Sequence, residues 1–535
     1  MPTLPSKTSF LHSDPSRFLL WANLGMSIIY FFVIAFLFPH GNEVLFWILI
    51  AGEVFHTWQA LTYICTVWRL DHKPKRDDLF APPVDVYITV CGEPVDIVEE
   101  TALAAKAMDY PNHRVFLLND GYVAKKDNWK DMEDMAVRIG VGCITRQTPG
   151  GAKAGNINNA MGVTDAPYIV IFDADHVPHD DFLARTMGYF VDERLAYVQT
   201  PQYYKNAYEN AITLSAWEQQ ELFFGPICRG KNRFNSATMC GTNMVIRRQA
   251  LDEVGGMCTE SIAEDFVTGL FIHEKGWRSL YVPEVLAEGL APEDFLSYTK
   301  QQFRWARGAL DVIFRYNLLF RRGLSFIQKI QYMSSVSFFL SGVIVLMNAA
   351  LPILFLFFGI TPVRIDTMLL AIVFIPYIFT TIGLLSSTSN HRFSFRAVSF
   401  SMSSFWIHIQ ALWSALTGRK VTFSVTSKVG VQGNYVHLAA PHLIYIGLFV
   451  FGLFIALARE GVSSSVINNV AWAAFNIGVF MPYIFAAIPR EAVSGFMMRH
   501  LYKIMFIPER TVNVASPVKL KVVSKGREGA VQRGT

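Results

Sequence analysis

The chain has 535 residues, of which 52% are hydrophobic and 14% aromatic, and its mean hydropathy is +0.29. Soluble domains are seldom so apolar, so the composition predicts membrane spans and disfavours a wholly soluble protein. The net charge of +4 argues against nucleic acid as a main partner. Six cysteines without paired metal-ligand spacing favour a reduced, cytosol-facing region.

Two apolar stretches open the chain, at Phe18–Phe38 and Val44–Trp68. Each is about long enough to cross ~30 Å of hydrocarbon. The polar N-terminus runs into the first stretch without a small-residue cleavage site, which indicates a retained span rather than a signal peptide. The highly charged segment Asp71–Asp78 must then return to water.

The central region, from Pro82 to Arg322, holds no stretch apolar enough to span a membrane. Short apolar runs alternate there with helical patterns, which predicts βαβ units and a mostly parallel sheet. The predicted strands include Val84–Val90, Val115–Leu118 and Tyr168–Phe172.

Four further apolar stretches follow, at Tyr332–Phe358, Thr367–Leu385, Ala439–Leu457 and Ile467–Ile488. Lysine and arginine are concentrated on one side of these stretches, so the positive-inside rule predicts about six spans with both termini in the cytoplasm. We divide the chain into residues 1–79 with two spans, 80–322 as a cytoplasmic domain, 323–490 with interface helices and four spans, and 491–535 as a basic tail. No internal repeat supports an inverted-repeat transporter.

Acidic side chains follow two of the predicted strands. Asp120 comes after VFLLN, and Asp173 and Asp175 come after YIVIF. Ligands of open α/β sheets bind beyond the carboxyl ends of strands, and residues two apart on an extended chain face the same way. We therefore expect Asp173 and Asp175 to face one site, although such a pair by itself is more typical of a solvated turn.

Three more motifs complete the pattern. Glu264 and Asp265 open a predicted helix, where acids also have a purely structural role because they complement the helix dipole. Gln301–Trp305 (QQFRW) falls just before the chain becomes hydrophobic again, and Phe423–Lys428 (FSVTSK) lies between two predicted spans.

The order of these motifs resembles that of membrane-embedded family-2 glycosyltransferases, most closely bacterial cellulose synthases. The resemblance covers roughly Val84 to Lys428, and its most specific part is SLYVPEVLAEGLAPEDF at Ser279–Phe295. It implies a GT-A type α/β glycosyltransferase domain inserted in an α-helical transmembrane domain of about six spans. It also implies a processive, inverting enzyme of the inner membrane that takes a UDP-sugar, most simply UDP-glucose, and holds a growing polysaccharide. Membrane lipids and accessory subunits complete the expected partners.

The resemblance also implies roles for individual residues. Asp265 is the expected general base, with Glu264 beside it. Asp173 and Asp175 are expected to bind Mg²⁺ or Mn²⁺. The expected contacts of the UDP-sugar are Asp120, Lys153, Asp173, Gln301, Arg304, Thr426 and Lys428. The expected contacts of the acceptor are Trp305 and Cys240, and the segment at about 420–430 is expected to be a gating loop.

Two departures from the family pattern leave alternatives open. Ala263 stands where the family usually has Thr, and Met239 stands where it has an aromatic residue. Hyaluronan-like and chitin-like synthases using UDP-GlcNAc share the same core, and curdlan or mixed-linkage synthases share most motifs. A non-processive transferase of lipid-linked sugars would not need QQFRW, and a non-catalytic exporter would not need the acids. We expect no C-terminal PilZ-type domain, since too few residues follow Ile488.

Overall fold

A computed structural model describes residues 14–70, 72–364, 366–389, 395–419 and 433–488 of the protein. The predicted loop at about 420–430, with Thr426 and Lys428, lies outside these residues, as does the basic tail.

Helices are numbered here in chain order: α1 Arg17–Phe32, α2 Glu43–Val67, α3 Val95–Lys106, α4 Trp129–Ile139, α5 Ala152–Met161, α6 Phe182–Thr186, α7 Ala211–Leu222, α8 Cys228–Lys231, α9 Arg248–Asp252, α10 Glu264–Glu274, α11 Phe295–Phe314, α12 Phe326–Phe358, α13 Thr367–Thr388, α14 Phe395–Ser403, α15 Phe405–Leu416, α16 Ala440–Glu460 and α17 Ser464–Ala486. The strands are β1 Val84–Val90, β2 His113–Asn119, β3 Gly142–Thr145, β4 Tyr168–Asp173, β5 Val177–Pro178, β6 Leu195–Gln199, β7 Tyr203–Tyr204, β8 Met244–Arg247, β9 Arg278–Tyr281 and β10 Ala287–Gly289.

The central domain is built on a seven-stranded sheet with the order β3-β2-β1-β4-β8-β6-β9. Strand β1 is parallel to both of its neighbours, and β8 is antiparallel to both β4 and β6. Strand β1 is buried along its whole length, as expected for an apolar strand with helices packed on both faces of its sheet. The predicted mostly parallel sheet is therefore present, and one reversed strand makes it mixed.

In the part of the chain that the structure describes, six helices are long and apolar enough to cross a membrane: Arg17–Leu37, Glu43–Val67, Phe326–Phe358, Met368–Thr388, Val436–Glu460 and Ser464–Ala486. Five of them begin within four residues of the predicted stretches. The exception is α12, which begins at Phe326 rather than Tyr332 because Ser325 and Gln328 form a capping box at its N-terminus. Its first turn and a half, FIQKIQ, alternates apolar residues with glutamine and lysine, so it lacks the continuous apolar run from which the span was predicted.

Helix α11 connects the sheet domain to the membrane helices. Helix α11, which carries QQFRW, packs on α15 and α12. Inside this contact Arg307 pairs with Asp311 and donates a hydrogen bond to Ser414 Oγ at 3.2 Å. This buried polar contact ties α11 to α15, so the residues of QQFRW lie on a supported helix between the two regions.

Candidate active site

Lys153 and Asp173 meet at the carboxyl edge of the sheet. Asp173 is the last residue of β4, and Lys153 lies in the first turn of α5 after two glycines. Lys153 Nζ donates hydrogen bonds to Asp173 Oδ1 and to the carbonyl oxygen of Gly241, the latter at 2.8 Å. Burial acts to lower the pKa of Lys153, but the nearby carboxylates outweigh burial and raise it. The ammonium is therefore held in its charged state at the centre of the site.

Close packing explains the glycines before α5. Gly150 and Gly151 both have positive φ, and a Cβ on Gly155 would run into the carbonyl oxygen of Gly150. The loop therefore folds back against its own helix, as only glycine permits at these positions. This packing fixes where Lys153 projects.

Of the two acids at the start of α10, Glu264 is buried and Asp265 is partly buried. Asp265 Oδ1 accepts a hydrogen bond from the backbone N–H of Phe266 at 2.7 Å, and Thr268 Oγ1 donates to the carbonyl of Glu264. Burial raises the pKa of both acids, and the charge of Asp265 raises that of Glu264 further. The cations Lys153 and Arg304 oppose this rise without cancelling it. A carboxylate with a raised pKa is suited to accept a proton.

Two glycines allow the close approach of neighbouring segments to these acids. A Cβ on Gly241 would lie 2.7 Å from Asp265 Oδ2. A Cβ on Gly308 of α11 would overlap the Cβ of Ala263, which precedes the acids. The alanine in place of the family's usual threonine therefore packs tightly against α11.

Asp120 forms a buried ion pair. Both of its oxygens accept hydrogen bonds from Arg146, at 2.8 and 2.7 Å, and Arg146 also donates to the carbonyl oxygens of Gly150 and Ala152. Burial raises the pKa of Asp120, and the guanidinium opposes that rise. Through Arg146, Asp120 is joined to the loop that carries Lys153.

Asp173 and Asp175 occupy different environments. Strand β4 ends at Asp173, so the rule of alternating side chains does not extend to Asp175. The side chain of Asp173 is 35% exposed, whereas Asp175 is 1% exposed and its Oδ2 accepts a hydrogen bond from the backbone N–H of Leu290 at 3.0 Å. Asp173 thus faces the open site, and the role of Asp175 as a metal ligand stays a prediction.

The side chains of QQFRW converge on the same region. Burial and the charge of Asp175 raise the pKa of Tyr204, while a hydrogen bond from Gln301 and the charge of Arg304 oppose this rise. Gln301 Oε1 is buried and has no hydrogen-bond partner among the described residues. Arg304 also acts electrostatically on both acids of α10.

A cavity of about 1350 Å³ begins beside these residues and continues between the membrane helices. Its wall near the sheet domain includes Cys240, Asp265 and Trp305, and its opposite end includes Arg364 and Glu460. Arg364 precedes α13 and Glu460 ends α16, both on the side of the membrane helices away from the sheet domain. The cavity therefore links the acids of α10 with the far side of the helical region.

A divalent cation fits the donor set around Asp173. Among residues 14–70, 72–364, 366–389, 395–419 and 433–488, no group of three or more His, Cys, Asp and Glu side chains is placed to hold a metal alone. Mg²⁺ and Mn²⁺ are usually bound by one or two carboxylates together with substrate phosphates. A single exposed carboxylate beside a lysine suits such a shared site.

Two residues of the site do not belong to the predicted set. Arg146 directly follows β3, so the strand-end rule used for Asp120 would also have selected it. Gln199 carries no sequence signal. Its amide donates to the carbonyl oxygens of Thr200 and Thr242, and its Oε1 accepts from the backbone N–H of Cys240 at 2.8 Å. It thereby fixes the loop that carries Cys240 and Gly241.

Comparison with known proteins agrees with this geometry. The sequence profile of the glycosyltransferase-like family 2 matches residues 82–308, and that of the cellulose synthase family matches residues 252–471. The chain is 32% identical over 423 residues to cellulose synthase 2 of Novacetimonas hansenii, a match that covers 76% of this chain and 26% of that protein. It is 33% identical over 407 residues to the UDP-forming cellulose synthase catalytic subunit of Pseudomonas fluorescens (strain SBW25), covering 73% and 54% respectively. The chain thus spans between a quarter and about half of the length of these relatives.

A solved structure is similar in fold. The mannosyltransferase of Pyrobaculum calidifontis, in complex with GDP-Man and Mn²⁺, superposes with a TM-score of 0.50 at 17% identity. The match covers 70% of this chain and all of the other. The GT-A type α/β fold with six candidate spans, predicted from the sequence, is therefore confirmed.

Proposed function

Because the chain belongs to the family-2 glycosyltransferases and carries a cellulose synthase domain, we propose that it is a processive, inverting β-glycosyltransferase. It polymerises a glucan from UDP-glucose and moves the product across the membrane between its own helices. The observation that carries this proposal is the single cavity shared by Asp265, Trp305 and the membrane helices. A transferase that released its product into the cytoplasm would need no such passage.

The donor diphosphate is proposed to bind at the carboxyl edge of the sheet. Lys153 supplies a fixed positive charge, and Arg304 supplies a planar fork that fits phosphate oxygens. Asp173 would hold Mg²⁺ or Mn²⁺, which neutralises the charge of the departing UDP. Asp120 acts on this site through Arg146 and the glycine loop. The assignments of Gln301 and Asp175 to this site remain part of the proposal.

Asp265 is proposed to act as the general base. The terminal hydroxyl of the glycan gives its proton to Asp265 while its oxygen bonds to the anomeric carbon of glucose. The bond from that carbon to the diphosphate oxygen breaks on the opposite face, so the configuration inverts and UDP leaves. Burial and the raised pKa of Asp265 favour its protonation during this step.

The acceptor end of the glycan is proposed to lie against Trp305 and Cys240. A flat aromatic ring contacts the apolar face of a sugar without fixing its position along the chain, which suits repeated translocation. Cys240 lines the same wall, and burial raises the pKa of its thiol, so it acts there as a neutral contact. The proposed gating loop with Thr426 and Lys428 would close over the donor and exclude water.

The protein is proposed to lie in the inner membrane with its sheet domain in the cytoplasm. The connectors on the far side carry few basic residues: PHGNE has none, and Arg364 and Arg459 are single charges in the other two. This asymmetry follows the positive-inside rule. UDP-sugars would then reach the site from the cytoplasm.

Radiolabelled sugar incorporation tests the proposal directly. Purified protein in liposomes receives UDP-glucose with Mg²⁺ or Mn²⁺, and the product is analysed for size, linkage and protection inside the vesicles. We expect a long, lumenal β-glucan from UDP-glucose and none from UDP-GlcNAc. A polymer from UDP-GlcNAc would support the hyaluronan-like or chitin-like alternative, and a lipid-linked monomer would support the non-processive one. No incorporation of either sugar would contradict the proposal as a whole.

A further inference from the structure

Lys231 is a buried lysine at the junction of the sheet domain and the membrane helices. It ends the short helix α8 and is 2% exposed. Its ammonium donates hydrogen bonds to the carbonyl oxygen of Gln331 at 3.1 Å and to Ser335 Oγ at 2.6 Å, both on α12. Since an ammonium has three N–H groups, these two partners leave one N–H for another acceptor.

The charge of Lys231 has no carboxylate partner within the described ranges. The titratable groups that act on it are Cys228 on the same helix and Cys240, and Lys231 in turn lowers the pKa of His273. Burial raises the pKa of both thiols and lowers that of His273 to about 3, so all three are neutral near pH 7. A buried cation without a counterion is unfavourable for folding, and replacement by an apolar side chain of similar volume is often neutral or stabilising. Its presence therefore calls for an explanation other than stability.

The location of Lys231 provides that explanation. Lys231 and Ser335 line the same cavity as Cys240, Asp265 and Trp305. Thr238 lines it too, and its Oγ1 is buried without a hydrogen-bond partner among the described residues. Buried hydroxyls are normally hydrogen-bonded, so an unpartnered one on a cavity wall points to a polar ligand.

We propose that Lys231, together with Thr238, is a positioning and specificity residue for the acceptor: it donates a hydrogen bond to oxygen atoms of an uncharged sugar unit of the growing glycan. This inference rests on the proposed function. Neutral hydroxyls suit the site because Asp265 lines the same cavity, and an anionic sugar would meet this carboxylate as well as the ammonium. The elongating chain would supply the acceptor that the third N–H of Lys231 lacks.

Lys231→Met tests this, since methionine keeps the length and apolar stem of the side chain and removes its charge. With UDP-glucose in liposomes, we expect the product to be shortened at least threefold while KM for UDP-glucose stays within twofold of wild type. The melting temperature should stay equal or rise, because a buried charge is lost. Lys329→Met is the matched control: Lys329 lies on α12, the helix that accepts the hydrogen bonds of Lys231, but it donates to the carbonyl oxygen of Leu319 at 2.8 Å and is not part of the cavity wall. It should leave product length unchanged.

The pH dependence of product length shows whether Lys231 donates a hydrogen bond to the glycan or only stabilises the fold. Burial lowers the pKa of Lys231 to about 8, so the wild-type product should shorten as the pH rises through that value. Lys231→Arg should give product of wild-type length at pH 7.5. Its product should not shorten as the pH rises further, because a guanidinium keeps its charge there. Lys231→Met should give short product at every pH.

Several outcomes would overturn the inference while leaving the proposed function standing. One such outcome is full-length product from a folded Lys231→Met protein. Another is a marked fall in the melting temperature of this variant while the protein that stays folded makes product of normal length, which would show that Lys231 only stabilises the fold. Should Lys231→Met not fold, Thr238→Val removes the unpartnered hydroxyl at constant volume, and unchanged product length would again refute the proposal. Wild-type protein that makes no polymer would refute the proposed function instead.

Discussion

Two groups of acidic side chains lie near the carboxyl edge of the sheet, and they differ in the groups that donate hydrogen bonds to their carboxylates. At the end of β2, Asp120 is held by two hydrogen bonds from Arg146. At the start of α10, Glu264 and Asp265 stand side by side, and the hydrogen bond given to Asp265 comes from a backbone N–H. Burial raises the pKa of the carboxyl groups in both regions, but the hydrogen-bonded guanidinium of Arg146 opposes this rise at Asp120, whereas the neighbouring charge of Asp265 adds to it at Glu264. The same residue type thus serves as a support in one region and as a candidate base in the other.

Asp265→Asn should produce the largest effect, because the proposed base is lost while its shape is kept. We expect elongation to fall by about 10²- to 10⁴-fold, with UDP binding in calorimetry close to wild type. Asp252→Asn, an exposed acid on α9, is the matched control and should be fully active. Near-normal polymer synthesis by the Asp265 variant would remove it from the mechanism.

Arg146→Met should damage the other region through stability. It leaves the Asp120 carboxylate buried without its guanidinium, a change that costs about 3–5 kcal/mol in comparable buried pairs. The melting temperature in detergent should drop strongly, and UDP binding should weaken as the glycine loop loses its support. Arg138→Met removes an exposed arginine that pairs with Glu99, and it should change the melting temperature only slightly. Equal effects of the two variants would contradict the structural role of the Arg146 pair.

Gly308→Ala should disturb the start of α10 from outside the site. Its Cβ would overlap Ala263, and overpacking of this kind destabilises by about 1–3 kcal/mol. Ala263 should move to relieve this overlap and displace the adjacent Glu264 and Asp265, so we expect kcat to fall more than UDP affinity. Gly162→Ala, where the nearest atom would be 3.4 Å away, is the control. A fully active Gly308→Ala protein would show that this contact does not position the acids.

Glu264→Gln should have the smallest effect, visible in how stability depends on pH. Since burial and Asp265 raise the pKa of Glu264, the folded protein keeps a proton that the unfolded chain loses at lower pH. Stability is therefore greatest at low pH and declines as the pH rises through the raised pKa. The variant should lack this decline, which is measured by melting from pH 5 to 8.5. Glu260→Gln, which alters an exposed acid paired with Arg315, should keep the decline. A decline that persists in Glu264→Gln would mean that another group causes it.

The sequence by itself determined the spans, the principal strands and the order of the motifs, because these depend on local patterns. Runs of about twenty apolar residues, alternating short strands and acids after strands are all visible within one window of the chain. The start of α12 was missed for the same reason, since its first turns mix apolar residues with glutamine and lysine and do not form a continuous apolar run. The alternation of side chains along a strand also did not predict that β4 ends at Asp173, which places Asp173 and Asp175 in different environments.

Only the tertiary structure decided which distant side chains meet. Residues from separate elements meet where Asp120 pairs with Arg146 and where Gln199 holds the loop of Cys240 by hydrogen bonds. The same is true of Lys231, which lies beside the shared cavity and has no carboxylate partner among the described residues. Such contacts depend on how the strands and membrane helices pack, and a single sequence encodes them without a local periodicity. The motifs therefore predicted the kind of chemistry, and the packing decided which groups surround each charge and hence which carboxylate can take up a proton.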